Sequence, residues 1–128
     1  MDVKIEEVIE KIKNLEGFEK VKFIILYGSA VEGQAKEGSD IDICIYYDGS
    51  LEEASEFRLK VLSELFDDLY DVQIFQQLPL YVRVEVLKGK VAYCKDRSFL
   101  YKVAMETIKD FEEFKYRFYD YIGERGIT

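Results

Sequence analysis

Asp40 and Asp42 stand one residue apart in "DIDICIYY", a run that is otherwise β-branched, apolar and aromatic. Ionised carboxylates are costly to bury without a partner, so something positive is expected beside them. On a strand, residues i and i+2 face the same way, roughly 6.5–7 Å apart at the backbone. Side chains at that spacing can converge on one or two cations. Magnesium takes carboxylate oxygens and completes its shell with water and substrate phosphates. Two such ions about 3.5–4 Å apart can serve the attacking and the leaving oxygen of an in-line displacement.

Upstream, Gly28 and Ser29 end another apolar run, "VKFIILY". Gly28 lets the backbone turn closely. Ser29 is a good N-cap for a helix whose free N–H groups attract anions. A Gly-Ser turn therefore suits a phosphate, and the carboxylate pair suits the metal that bridges it. The expected positive charge is Mg²⁺ brought with a nucleoside triphosphate. Asp71 opens a third apolar run, "DVQIF", where a charge again has no packing reason to be. If that strand neighbours the one carrying the pair, Asp71 joins the cluster. It could then ligate a second metal and accept the proton of an attacking hydroxyl.

Each residue alone has a plain structural reading. Gly28 can be a turn, Ser29 a cap, Asp40 a strand-edge solubilising residue, and Asp71 a cap or a solvent-facing acid. The joint pattern is different: Gly-Ser, ten residues, then Asp-x-Asp, in a strand–turn–helix–loop–strand context. That combination points to function.

The elements that must position these residues follow from apolar spacing. Residues 3–15 carry a helical stripe at Ile5, Val8, Ile9, Ile12 and Leu15 that stops before Gly17. Val21–Tyr27 is a nearly continuous apolar run, as in a buried strand. "GQAKEGS", residues 33–39, is a polar, glycine-punctuated loop containing Lys36 and ending at Ser39. Residues 40–47 form a second strand, residues 51–69 a helix with apolar positions at Ala54, Phe57, Val61, Leu65 and Leu69, and residues 70–75 a third strand. Pro79 fits the first position of a helix over Leu80–Leu87, although the alternation in "LYVRVEVL" also fits a strand. Lys90–Cys94 is a short fourth strand, and residues 99–122 form a long helix rich in aromatics. Strands alternating with helices predict one α/β domain over residues 1–128, a small sheet covered by helices. The surplus aromatics of the last helix suggest contact with a partner or a second copy.

Bulk composition bounds the rest. With 48% hydrophobic and 34% charged residues, the chain has a globular balance. Its apolar runs fall well short of the roughly 20 residues that span a bilayer, and its acidic, periodic start does not look like a signal peptide. A cytoplasmic protein is the simplest expectation. The net charge of −8 offers no excess of Lys and Arg for phosphate contacts, so direct nucleic-acid binding is not expected. Cys44 and Cys94 read as reduced packing residues. The absence of histidine removes Ser-His and Cys-His nucleophile pairs and most zinc sites. Acid–base or metal chemistry here must rest on carboxylates.

"GS" at Gly28–Ser29, "SDIDI" at residues 39–43 and "DVQIF" at residues 71–75 resemble the signature of the nucleotidyltransferase superfamily related to DNA polymerase beta. The short length and the tail from "LKGKVAYCKDRSF" onward resemble its minimal branch, the MNT or MntA-type antitoxins. The resemblance implies a mixed sheet flanked by helices, ATP as substrate with Mg²⁺, and a HEPN-type ribonuclease toxin as partner. It implies transfer of AMP to a tyrosine of that toxin. Carried over, Gly28 and Ser29, with Ser39 and Lys36 nearby, would hold the triphosphate, Asp40 and Asp42 the metals, and Asp71 the second metal and the nucleophilic hydroxyl. One position departs from the pattern. Where the family has an arginine four residues after the motif glycine, this chain has Glu32, an acid that repels a triphosphate unless Lys36 supplies the charge. Two alternatives follow: an antitoxin that neutralises its toxin by binding alone, or an aminoglycoside-type small-molecule nucleotidyltransferase that would need a dimer to build its acceptor pocket.

Overall fold

The computed structural model describes residues 3–28, 41–65 and 70–125. In chain order the elements are α1 (Val3–Lys13), β1 (Val21–Tyr27), β2 (Ile41–Tyr47), α2 (Leu51–Leu65), β3 (Tyr70–Ile74), α3 (Leu80–Leu87), β4 (Lys90–Cys94) and α4 (Arg97–Arg125). The four strands form one sheet in the order β3-β2-β1-β4. β1 pairs antiparallel with both β2 and β4, whereas β2 and β3 run parallel. This is a mixed sheet, and α2 is the crossover that a parallel pair requires.

Strand alternation sorts the side chains into two cores. Ile24 and Leu26 of β1, Ile43 and Ile45 of β2, and Val72 and Ile74 of β3 are buried beneath α1 and α2, against Ile12, Phe57 and Val61. Phe23, Ile25 and Cys44 face the other way, with Phe75, Val86 of α3 and Val103 of α4. The sheet is thus covered on both faces, which explains why β1 reads as a continuous apolar run rather than an alternating one.

Local chemistry fixes the helix entries. Ser50 Oγ accepts from the Glu53 backbone N–H at 3.1 Å, and Glu53 Oε1 accepts from the Ser50 N–H at 3.0 Å. This reciprocal pair is a capping box that starts α2. From inside α2, Arg58 Nε donates to the Val72 carbonyl at 2.6 Å and ties the helix to the edge strand β3. Gly17 lies at φ 96°, where an L side chain is strained, and its carbonyl accepts from the Tyr47 hydroxyl at 3.0 Å.

The "LYVRVEVL" segment is a helix, with Pro79 as its N-cap at φ −58° rather than its first residue. The decisive contacts are tertiary. Val86 is fully buried and Val82 and Leu87 pack beside it, while Tyr81 and Glu85 face water. Helical spacing meets that demand because α3 lies across β1 and α4. Several boundaries also shift: α1 stops at Lys13, β3 yields at Phe75 to a short 3-10 turn, and α4 begins at Arg97. Residues 66–69, part of the expected helix, lie outside the described residues.

α4 has 29 residues, a length of about 43 Å. Among its described side chains only Val103 and Thr107 are buried, and none of those in residues 108–121 is. Phe114, Tyr116, Phe118, Tyr119 and Tyr121 are all exposed. Among the described residues no helix is long and apolar enough to cross a membrane.

Candidate active site

Asp42 and Asp71 are brought together by strand register. They are direct partners in the parallel β2–β3 ladder, and Asp42 is in turn opposite Tyr27 on β1. Paired positions point to the same side of a sheet, so Tyr27, Asp42 and Asp71 form a row across three strands. Alternation puts that row on the face of Cys44 and Phe75, beyond the end of the second core. Both acids are half-buried. The third acid and the second therefore share one face, as the sequence requires of a common cluster.

Gly28 follows β1 directly, with φ at 92°. The conformation favours glycine, and the space demands it: a Cβ built there would collide with Oδ2 of Asp42. The Asp42 carboxylate rests against the bare backbone at the point where the chain leaves the sheet.

The electrostatics of this corner show in its neighbours. Burial pushes the Tyr27 phenol up, and the Asp42 and Asp71 carboxylates push it further. Burial likewise raises the Cys44 thiol. Tyr27 therefore stays a neutral O–H at physiological pH, in a field that its acidic neighbours make negative. Asp71 accepts from Gln73, two residues along the same strand face: Nε2 lies 3.2 Å from Oδ1 and 3.3 Å from Oδ2. Cys44 and Cys94 are both free thiols.

This donor set fits a hard cation. Two carboxylates on adjacent strands present oxygen ligands only, and the field that raises Tyr27 is one a cation relieves. Among the described residues no group of three candidate metal ligands assembles; Asp40 lies outside them, as do Ser29, Glu32, Lys36 and Ser39. Tyr27 and Gln73 are the members of the site that motif reading passes over. Their sequence signals are weak: a tyrosine next to the motif glycine, and a polar residue two positions after Asp71 in an apolar strand.

Known proteins resemble this chain in sequence and in fold. The model of the polymerase beta nucleotidyltransferase family matches residues 6–98. A Methanocaldococcus jannaschii protein named as a candidate protein adenylyltransferase is 38% identical over 70 residues, 55% of this chain and 52% of that one. The chain thus spans about half the length of that relative. Among solved structures, a chain of a toxin–antitoxin complex with AMP-PNP superposes with a TM-score of 0.71 at 22% identity, covering 93% of this chain and 96% of its own. A chain of the complex between a tri-AMPylated Shewanella oneidensis HEPN toxin and its MNT antitoxin gives 0.68 at 18% identity, covering 95% of each. Those two likenesses establish a shared fold. The match to the family model covers most of the chain and includes both described acids and Gly28, and on that ground this chain belongs to the polymerase beta nucleotidyltransferase family.

Proposed function

We propose that the chain transfers AMP from ATP to a tyrosine hydroxyl of a HEPN-type ribonuclease and so acts as the antitoxin of that toxin. The observation that carries the reading is the register match of Asp42 with Asp71 beside a glycine that leaves no room for a side chain. Family membership supplies the reaction class. The fold shared with chains of toxin–antitoxin complexes, one of them holding an AMPylated toxin, supports the acceptor.

In this reading Asp42, with Asp40, holds Mg²⁺, which when bound neutralises charge on the phosphates. Gly28, with Ser29, Lys36 and Ser39, takes the triphosphate. The tyrosine oxygen forms a bond to the α-phosphorus, the bond from that phosphorus to the bridging oxygen breaks, and pyrophosphate leaves. Asp71 takes the proton of the attacking hydroxyl. Most of the rate then comes from positioning and charge complementarity at the α-phosphate.

The test uses α-labelled ATP, Mg²⁺ and a purified HEPN-type ribonuclease as acceptor. Asp42→Asn and Asp71→Asn should each lower labelling at least about a hundredfold with the fold intact. Variants that label as well as the parent would sink the assignment.

A second reading is favoured by the exposed aromatics of α4 together with Glu32. The chain would then neutralise its toxin by covering it, without chemistry. Calorimetry with Mg²⁺–ATP separates the two, because a pure binder gives no heat of nucleotide binding.

A further inference from the structure

Gln73 donates through one amide nitrogen to both oxygens of Asp71, at 3.2 and 3.3 Å. Near-equal distances place that nitrogen at the edge between the two oxygens. A carboxylate offers about four lone-pair directions, two toward that shared edge and two on its outer flanks. A cation chelated by both oxygens has to sit at the same edge. We propose that Gln73 is a positioning residue: its amide keeps the chelating edge of Asp71 occupied, so that an approaching group meets one oxygen at a time, on an outer flank, and never both together.

The proposal rests on the adenylyl-transfer reading for its catalytic meaning and on geometry alone for its binding consequence. An amide suits the task because it is neutral. A lysine at position 73 would form an ion pair with Asp71 and cancel the charge that a hydroxyl proton or a cation needs. An amide orients the carboxylate and leaves its charge in place. Strand alternation sets the reach, since Asp71 and Gln73 lie on the same face two residues apart. Both are half-buried, so the donor competes with only part of the surrounding water.

Gln73→Met keeps the length of the side chain and removes the N–H. Gln73→Glu keeps the shape and replaces the donor with a second carboxylate. Two measurements on the full-length chain test the idea. In the first, Mn²⁺ alone is titrated and followed by electron paramagnetic resonance. Gln73→Met should bind severalfold tighter than the parent, because the vacated edge becomes available for chelation. Equal affinity overturns the proposal. In the second, AMP transfer to the HEPN acceptor is measured with Mg²⁺–ATP. Gln73→Met should lower kcat about tenfold with KM for ATP within about twofold, and Gln73→Glu should lower kcat further. A merely structural role predicts instead a lowered melting temperature with kcat unmoved, and that result also overturns it. Should the parent itself transfer nothing, the functional reading fails, and the Mn²⁺ titration still decides the role of Gln73.

Discussion

Oδ2 of Asp42 occupies the space beside Gly28 where a β-carbon would stand. Two demands meet at that one position: a backbone at φ 92° and an empty flank for a carboxylate. Gly28→Ala meets neither. The positive φ alone costs on the order of 1 kcal/mol, and Asp42 must also rotate or the strand end must move. Urea unfolding of Gly28→Ala should therefore show a loss of at least about 1 kcal/mol. Its transfer activity should fall as far as that of Asp42→Asn. A variant with parental stability would mean that the carboxylate has other places to go.

Alkaline pH should weaken the fold by a route that starts at Cys44. Its thiol and the Tyr27 phenol both have folded pKa values raised above their ordinary ones, chiefly by burial. The protonated forms are favoured in the fold, so their contribution is intact below the unfolded pKa values and is lost as pH rises beyond them. Loss should begin near pH 8.5, the ordinary thiol value, and steepen near 10, the ordinary phenol value. For the fully buried thiol the slope is about 1.4 kcal/mol per pH unit once the unfolded chain ionises. Denaturant midpoints at pH 7, 9 and 10.5 check the shape, and Cys44→Ala should remove the first phase.

At the acid end the sensitive point is the entry of α2. Glu53 is held down to about 2 by its hydrogen bond with Lys20 and by its bonds with Ser50. A depressed carboxylate contributes above its unfolded value and loses that contribution as pH falls toward the folded one. The capping box should thus fail between about pH 4.3 and pH 2. At neutral pH Ser50→Ala should cost about 1 kcal/mol. In that variant the pH 4 to 2 decline should be shallower than in the parent, which parallel thermal melts can show.

Phe114 and Phe118 stack on the exposed part of α4 with ring centroids 6.2 Å apart. Neither fills a core, so the double change Phe114→Ser and Phe118→Ser should move global stability by less than about 0.5 kcal/mol per site. If these rings meet the HEPN protein, the same variant should bind it at least tenfold more weakly in a pull-down titration. Unchanged binding would place the contact elsewhere.

The strands were legible because their apolar runs are bounded by Gly28, Asp48–Ser50 and Gly89. Val21–Tyr27 and Lys90–Cys94 coincide with β1 and β4. The pairing of Asp71 with Asp42 was legible only as a condition, since no local pattern reveals which strands are neighbours. Leu80–Leu87 was ambiguous for a physical reason: Val82, Val84 and Val86 satisfy a period of two, and only contacts with β1 and α4 make the helix win. Gln73 was illegible because its meaning depends on a carboxylate two residues away having a role of its own. Glu53, by contrast, could be found from "SLEE", the box pattern of Ser followed three residues later by Glu.

A parallel ladder cannot be closed by a tight turn; β2 reaches β3 only after α2 has crossed the sheet. Asp42 and Asp71, 29 positions apart in the chain, consequently become neighbours late, when that crossover has docked. A nascent or locally melted chain carries both acids and yet no pair. Any chemistry the two perform together is switched on by completion of the fold itself, and anything that loosens α2 from the sheet should silence it before the remainder unravels.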